Sequence, residues 1–464
     1  MADDLTWMPA WQIRELIGKR EVSPSEVLEH FLGRIAEHDH KLQSFRHLDA
    51  AQARETARRA DRAVLDGDPL GPLHGIPISA KEEVPIKGMP LKPRPGLPMT
   101  ISENDILAVT RLRDAGANII GTNSMLGSGD GGFDKGRMDF SAEARNPWDT
   151  NRTAGWSSAG SAAATATGLV PIAIGTDGGG STRLPAAYSG VFGLHPTAGL
   201  IPIVDYDTPR VPPLTLTRGP MCRDVLDAAI TLQVMAGPDG RDFTCIQTPT
   251  ADLVSGIEDG VDGVRFAWTD DYGYTGKYAM DESERVIAHA RDAAKGFGRI
   301  GATVVATDEV WEDPTEASGV TNWLFGVAVD PNSPVPAPST PVWAAAMDLR
   351  QRNWAHFMRL FQDHDLLLTP TSQLLAPTMD EWDRRWMQEG ASFPYGSFGP
   401  TYTSHTTMFN WLCFPAVSVP CGFVDGLPVG LHIVGPPCSE DRILRAARAF
   451  QKAFPQDEVP VSVR

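Results

Sequence analysis

Residues 146–197, NPWDTNRTAGWSSAGSAAATATGLVPIAIGTDGGGSTRLPAAYSGVFGLHPT, decide how the rest of the chain is read. The stretch is dense in Gly, Ser and Ala and almost free of long polar side chains, so backbone amides and hydroxyls must lie close together in it. Two short serine-bearing glycine clusters interrupt it. In the second, Gly178, Gly179, Gly180 and Ser181 follow the apolar run 171–174. Successive amides unshielded by side chains can converge on a developing negative charge, which is what an oxyanion site needs. Ser181 stands where those amides end and reads as a nucleophile.

A serine hydroxyl is a poor nucleophile at neutral pH and needs a base. His195 is the histidine nearest in sequence, while upstream the segment HGIPISAK ends in Lys81. The first cluster, 155–161, adds the hydroxyls of Ser157 and Ser158, so Lys, Ser and Ser can form a relay. Other glycine-rich readings fail. GTDGGGST lacks the lysine that a phosphate-binding P-loop places before its Ser/Thr. Around Ser157 a nucleophile elbow is excluded, because Ala159 stands where the second glycine is required. GSGDGG at 127–132 fits GxGxxG formally, but the polar, broken sequence after it gives no helix to receive a dinucleotide, and it reads as a wall of the substrate pocket. His195 and His405 invite a Ser–His reading and are taken as structural.

At this point the chain resembles the amidase signature hydrolases. The matching text is GIPISAK at 75–81, NPWDTNRTAGWSSAGSAAA at 146–164, GTDGGGSTRLPAA at 175–187 and GVFGLHPTAG at 190–199, with weaker matches in RGPMCRDVLDAA from Arg218 and FPAVSVPCGFVDGLPVGLHIVGPP from Phe414. These blocks, in order, cover nearly the whole chain. The resemblance implies that Ser181 is the acyl-forming nucleophile, Ser157 the bridging serine after a cis peptide bond from Trp156, and Lys81 the terminal base. Lys81 accepts a proton only as the neutral amine, which burial favours. It also implies an oxyanion hole on the amides of Gly178, Gly179, Gly180 and Ser181, support of Lys81 by Ser158, and a brace made by Asp177 and Arg183. No metal or organic cofactor is implied. The chain departs from many members at Trp156, where they have Gly, at Glu82, where they have Asp, and at LKPRPG, 91–96. Phe133, Trp156, Trp323, Phe325 and Trp411 are candidates for lining the substrate pocket; Phe409 is a further aromatic of this kind.

Composition sets bounds on partners. The 464 residues are 42% hydrophobic and 21% charged, ordinary for a globular enzyme. A net charge of −17 argues against a nucleic-acid backbone or an anionic membrane as partner and favours a small-molecule amide substrate. The five cysteines form no CxxC pair, which indicates a reducing compartment rather than disulfides or a zinc site. The opening MADDLTWMPAW lacks the basic and apolar regions of a secretory signal. No run approaches the ~20 apolar residues of a membrane span. A cytoplasmic protein, as a possible homodimer, is expected.

The element pattern is α/β. Ser23, Pro24 and Glu26 mark a helix start, with Val27, Leu28, Phe31, Leu32 and Ile35 on one face. Asp49 caps a second helix that Gly67 ends. From Leu73, strands (GIPISAK, ANIIGT, VDGVRFAWT, ATVVATDEV) alternate with helices at 106–115, 159–167 and 282–296. Residues 331–341 are proline-rich and read as a loop, and 391–424 carry no charged residue, as expected of a buried stretch or an uncharged pocket. The fold expected from the resemblance is a central twisted mixed β-sheet covered by helices on both faces: an N-terminal helical layer, 1–68, on an amidase signature α/β core, 69–464, as one catalytic domain. The leading expectation is an amidase acting on a small apolar or aryl amide. The alternatives are the glutamine-hydrolysing A subunit of a tRNA-dependent amidotransferase and a non-catalytic scaffold of the same fold.

Overall fold

The computed structural model describes residues 2–92, 99–126, 133–134, 137–138, 143–203, 215–248, 250–321, 337–382 and 400–464. The N-terminal helices start where their capping chemistry places them. The Ser23 hydroxyl accepts from the Glu26 amide, and Glu26 returns a bond to the Ser23 amide at 2.8 Å. The resulting helix, Pro24–Leu42, buries Val27, Leu28, Phe31, Leu32 and Ile35. Asp49 caps Ala50–Asp66, which stops at Gly67 in the left-handed region. One element there was not foreseen. Between these helices Phe45–Leu48 forms a strand, so the N-terminal layer also feeds the sheet. Its partner strand carries Gly121, whose missing Cβ leaves room for the His47 carbonyl.

Among the described residues eleven strands make the main sheet. In chain order they are β1 (Phe45–Leu48), β2 (Pro77–Lys81), β3 (Asn118–Asn123), β4 (Ile172–Asp177), β5 (Phe192–His195), β6 (Thr217–Cys222), β7 (Arg265–Trp268), β8 (Thr303–Ala306), β9 (Leu366–Pro370), β10 (Ala416–Val424) and β11 (Leu427–Val434). Their spatial order is β1-β3-β2-β4-β6-β5-β10-β11-β9-β7-β8. The sheet is mixed: β2 runs parallel to β3 and β4, and β7 runs parallel to β8 and β9. The strands between these flanks pair antiparallel. Strands β2, β3 and β4 are buried throughout, as strands covered on both faces must be, and helices flank the sheet.

This topology places the chemistry. Lys81 is the last residue of β2 and Asp177 the last of its parallel neighbour β4, so the two carboxyl ends open at the same edge, where α/β sheets bind ligands. Helix Ala159–Ala166 lies under both serine loops, with all eight of its residues buried. Its small side chains are what permit that approach: a Cβ on Gly160 would stand 2.6 Å from the Ser44 carbonyl. The expected helices are found as Leu107–Asp114, Ala159–Ala166 and Ser283–Ala294. Of the proline-rich 331–341, residues 331–336 lie outside the described residues, and the end is corrected, because Ser339 precedes helix Thr340–Asp363, whose first turn takes Pro341, a position where a missing N–H costs nothing. Of the uncharged 391–424, the described part forms helices Pro400–Thr403 and Thr407–Leu412 and then β10. Among the described residues no helix is long and apolar enough to cross a membrane. All five cysteines are free thiols.

Candidate active site

Lys81 is 1% exposed, and three oxygens surround its Nζ: Ser157 Oγ at 2.7 Å, Thr176 Oγ1 at 2.8 Å and Glu83 Oε1 at 2.6 Å. Thr176 closes the group by donating its hydroxyl to Glu83 Oε1. Burial alone would favour the neutral acid of Glu83, but the Lys81 charge, with hydrogen bonds from Lys81 and Thr176, holds its carboxyl below the usual range. Neither Glu83 nor Thr176 was expected. Thr176 precedes the quoted glycine cluster, and only the parallel register of β2 against β4 brings it to the lysine.

The two serine loops meet through their backbones. The Ser158 amide donates to the Ser181 carbonyl at 3.1 Å, which sets the loop bearing Ser157 against the loop bearing Ser181. Ser181 is 6% exposed. The structure draws Lys81 and Ser157 together and draws no hydrogen bond between the Ser157 and Ser181 hydroxyls. Ser158 does not touch Lys81. Its hydroxyl donates to the Thr176 carbonyl at 3.1 Å and accepts from the Thr176 amide at 3.2 Å, so any support it gives the lysine passes through β4. All peptide bonds among the described residues are trans, including Trp156–Ser157, which corrects the cis bond implied by the resemblance. A cis bond without proline costs about 3 to 4 kcal/mol. Here Gly155, at φ 124°, turns the chain instead, and the Trp156 ring is packed edge-on against Trp382 at 5.1 Å.

The glycine loop is held from below by Asp177. Its carboxylate takes the Gly180 amide at 2.7 Å, the Thr182 amide at 3.2 Å and the Arg183 guanidinium at 2.9 and 3.1 Å. Burial opposes this charge, but Arg183 outweighs it and keeps the carboxyl well below the ordinary carboxylate range. Asn410 completes the brace, donating to Asp177 Oδ1 at 2.8 Å and accepting from Arg183 at 2.5 Å. Thr406 and Thr407 donate to the Gly179 carbonyl at 2.7 and 3.3 Å. Asp177 and Arg183 thus form the expected contact, while Thr406, Thr407 and Asn410 were missed. The Gly180 amide is committed to Asp177, which leaves the N–H groups of Gly178, Gly179 and Ser181 without a hydrogen bond among the described residues.

His195 and His432 stand in this brace and not in the relay: His195 Nδ1 lies 3.3 Å from Asn410 Nδ2, and His432 Nε2 lies 3.0 Å from Arg183 Nη1. His195 faces the Thr217 hydroxyl at 2.7 Å, and burial with the Arg183 charge pushes its pKa down to about 3. His405 faces the Asp270 carbonyl at 3.0 Å, and burial pushes it down to about 4. Both are neutral and neither contacts Ser181. Of the aromatic candidates, Trp156 joins Leu126, Leu184, Leu374, Trp382 and Tyr402 in one buried cluster. Trp411 and Phe409 are fully buried in another, with Phe357 and Phe414. The Phe133 side chain, Trp323, Phe325 and the 127–132 glycines lie outside the described residues. A cavity of about 460 Å³ lies away from the serines, lined in part by Trp7, Trp148, Arg223 and Asp227.

A family model described as Amidase matches residues 26–309 and 333–444. The chain is 29% identical to an acylamidase of Rhodococcus erythropolis over 97% of its own length and 96% of that protein. It is 32% identical to the A subunit of the glutamyl-tRNA(Gln) amidotransferase of Symbiobacterium thermophilum, over 97% and 98% respectively. Among solved structures, it superposes with a TM-score of 0.83 on a bacterial aryl acylamidase of the amidase signature family, 25% identical over 98% of both chains.

Proposed function

The chain belongs to the amidase family, an amidase signature hydrolase acting on carbon–nitrogen bonds, and from that premise we propose that it cleaves a carboxylic amide through an acyl-enzyme on Ser181. The observation that carries this reading is the 2.7 Å contact between Lys81 Nζ and Ser157 Oγ, buried beside the loop that bears Ser181. In the reaction Ser157 rotates to accept the Ser181 proton and passes its own to the neutral Lys81 amine. Ser181 Oγ then bonds to the carbonyl carbon. The tetrahedral oxyanion is held by the amides of Gly178, Gly179 and Ser181, while the Gly180 amide fixes the loop on Asp177. Ser157 returns the proton to the leaving nitrogen as the C–N bond breaks. Water, deprotonated along the same path, releases the acid and restores Ser181.

The substrate we favour is an apolar or aryl amide. Trp156, next to Ser157, packs with Trp382 and Tyr402 in an aromatic cluster, and the acylamidase and aryl acylamidase are among the chain's relatives. A second reading has a specific observation behind it, the 32% identity to the A subunit of a glutamyl-tRNA(Gln) amidotransferase, which would make glutamine the substrate. Amine or ammonia release from aliphatic amides, aryl amides, anilides, hydrazides and glutamine, with Ser181→Ala as control, separates the two. Turnover of the aryl or aliphatic set, lost in Ser181→Ala, supports the amidase. Turnover of glutamine alone moves the assignment to the amidotransferase, and undiminished activity in Ser181→Ala ends both.

A further inference from the structure

The relay does not end at Lys81. The lysine stands between Ser157 and two further partners, Glu83 and Thr176, which themselves are joined by the Thr176 hydroxyl. An ammonium has three N–H donors, and here three oxygens receive them. A neutral amine has two N–H groups and one lone pair. With the two N–H groups taken by Glu83 and Thr176, the lone pair can point only at Ser157, the direction in which a proton must arrive. Thr176 cannot vary its role, since its one proton goes to Glu83 and its oxygen is left to accept from Lys81.

We propose that Glu83 is a positioning residue of the proton relay: its carboxylate, 2.6 Å from Nζ, aims the Lys81 amine at Ser157. This rests on the Ser181–Ser157–Lys81 reading given above. The surrounding charges leave Glu83 as the group that matters. Arg218, on β6, adds a smaller pull in the same direction as Lys81 on the Glu83 carboxyl. Glu82 turns away, taking the Met125 amide at 2.8 Å with Arg46 at 3.8 Å, and Asp177 is spent on Arg183. Glu83 is the less enclosed member of its pair, 16% exposed against 1% for Lys81.

The test needs no known substrate. An alkyl fluorophosphonate phosphonylates an activated serine: the Oγ–P bond forms, fluoride leaves, and the serine proton passes to the base. The rate at Ser181 is measured in the wild type, in Glu83→Ala, which leaves Lys81 no acceptor there, and in Glu83→Gln, which keeps a side-chain oxygen to accept from it. The rate should fall tenfold or more in Glu83→Ala, and Glu83→Gln should restore a rate near that of the wild type. An undiminished rate in Glu83→Ala, with folding intact by circular dichroism, overturns the proposal. Should Glu83→Ala not fold, Glu83→Met, of similar length and without an oxygen, decides by the same rate. Failure of the underlying reading looks different: there, no variant nor the wild type carries phosphonate on Ser181.

Discussion

Ser157 and Ser158 are adjacent, yet the chain turns their hydroxyls to different tasks. Ser157 Oγ meets Lys81 at 2.7 Å, whereas Ser158 Oγ exchanges hydrogen bonds with the Thr176 backbone. Ser157→Ala should therefore lower kcat by about 10²- to 10⁴-fold, the range of a lost proton-transfer group, with little change in melting temperature. Ser158→Ala should do the reverse. It leaves the Thr176 amide without its buried acceptor, at a cost of roughly 1 to 3 kcal/mol, while the lysine contact stays. Paired kinetics and thermal melts check both, and an exchanged pattern would mean that the two serines have been assigned the wrong way round. The serines and Lys81 are legible because each sits in a block of distinctive residues. Glu83 is not, because a Glu two residues after a Lys is commonplace, and Thr176, although inside the block 175–187, shows no link to Lys81 until the register of β2 on β4 is known.

At the scale of elements, the glycine loop is a backbone surface held rigid by a brace from elsewhere in the chain. Gly180 shows why glycine is required: its φ is 125°, and a Cβ there would collide with the Thr406 hydroxyl that holds Gly179. Gly180→Ala should destabilise the protein by about 1 to 3 kcal/mol and abolish turnover, since strain and collision act together. Asn410→Ala leaves the buried Asp177 and Arg183 each short of a partner. It should lower the melting temperature and reduce kcat more than KM, because the loop amides and not the substrate pocket lose their support; a change in KM alone would place Asn410 in the pocket instead. The caps at Ser23 and Asp49 could be read from sequence because they are local. The helix Thr407–Leu412 could not be tied to the glycine loop, because nothing in its composition records that Asn410 reaches Asp177. Trp411 misled for a related reason: an aromatic in an uncharged stretch fits a core as well as a pocket, and the fold uses it in the core.

For the whole molecule, buried ionisable groups give stability a sign against pH. His195, His405 and His432 are held neutral by burial, with folded values near 3, near 4 and well below the ordinary 6.5. A depressed folded value means that the stability they contribute is present above about 6.5 and is lost as pH falls toward those values. Asp227 opposes them. Burial raises its carboxyl to about 7 although it caps the helix Ala10–Gly18 through the Ala10 and Trp11 amides, so its contribution is present below about 3.8 and is lost as pH rises toward 7. Asp39 and Glu440, also raised by burial, act with Asp227, whereas Asp177 and Glu83, held below the usual carboxylate range, act with the histidines. The melting temperature should fall as pH drops from 6.5 to 4, and Asp227→Asn should steepen that fall; a wild-type protein that grows more stable on acidification would show that the histidines are not buried neutral. On this scale the α/β class and four strands, β2, β3, β7 and β8, are legible from the apolar pattern. The order of the sheet is not, because β10 and β11 fold back between β5 and β9 through contacts that no local pattern encodes.

The central claim is that Ser181 carries the acyl group. Its most direct test is rapid-quench mass spectrometry of the enzyme during turnover of whichever amide it hydrolyses, followed by peptide mapping. An increment equal to the acyl group on the peptide containing Ser181, building up within the first turnover and absent in Lys81→Ala, is the expected result. The same increment on another residue, or steady turnover through Ser181→Ala, would contradict the account.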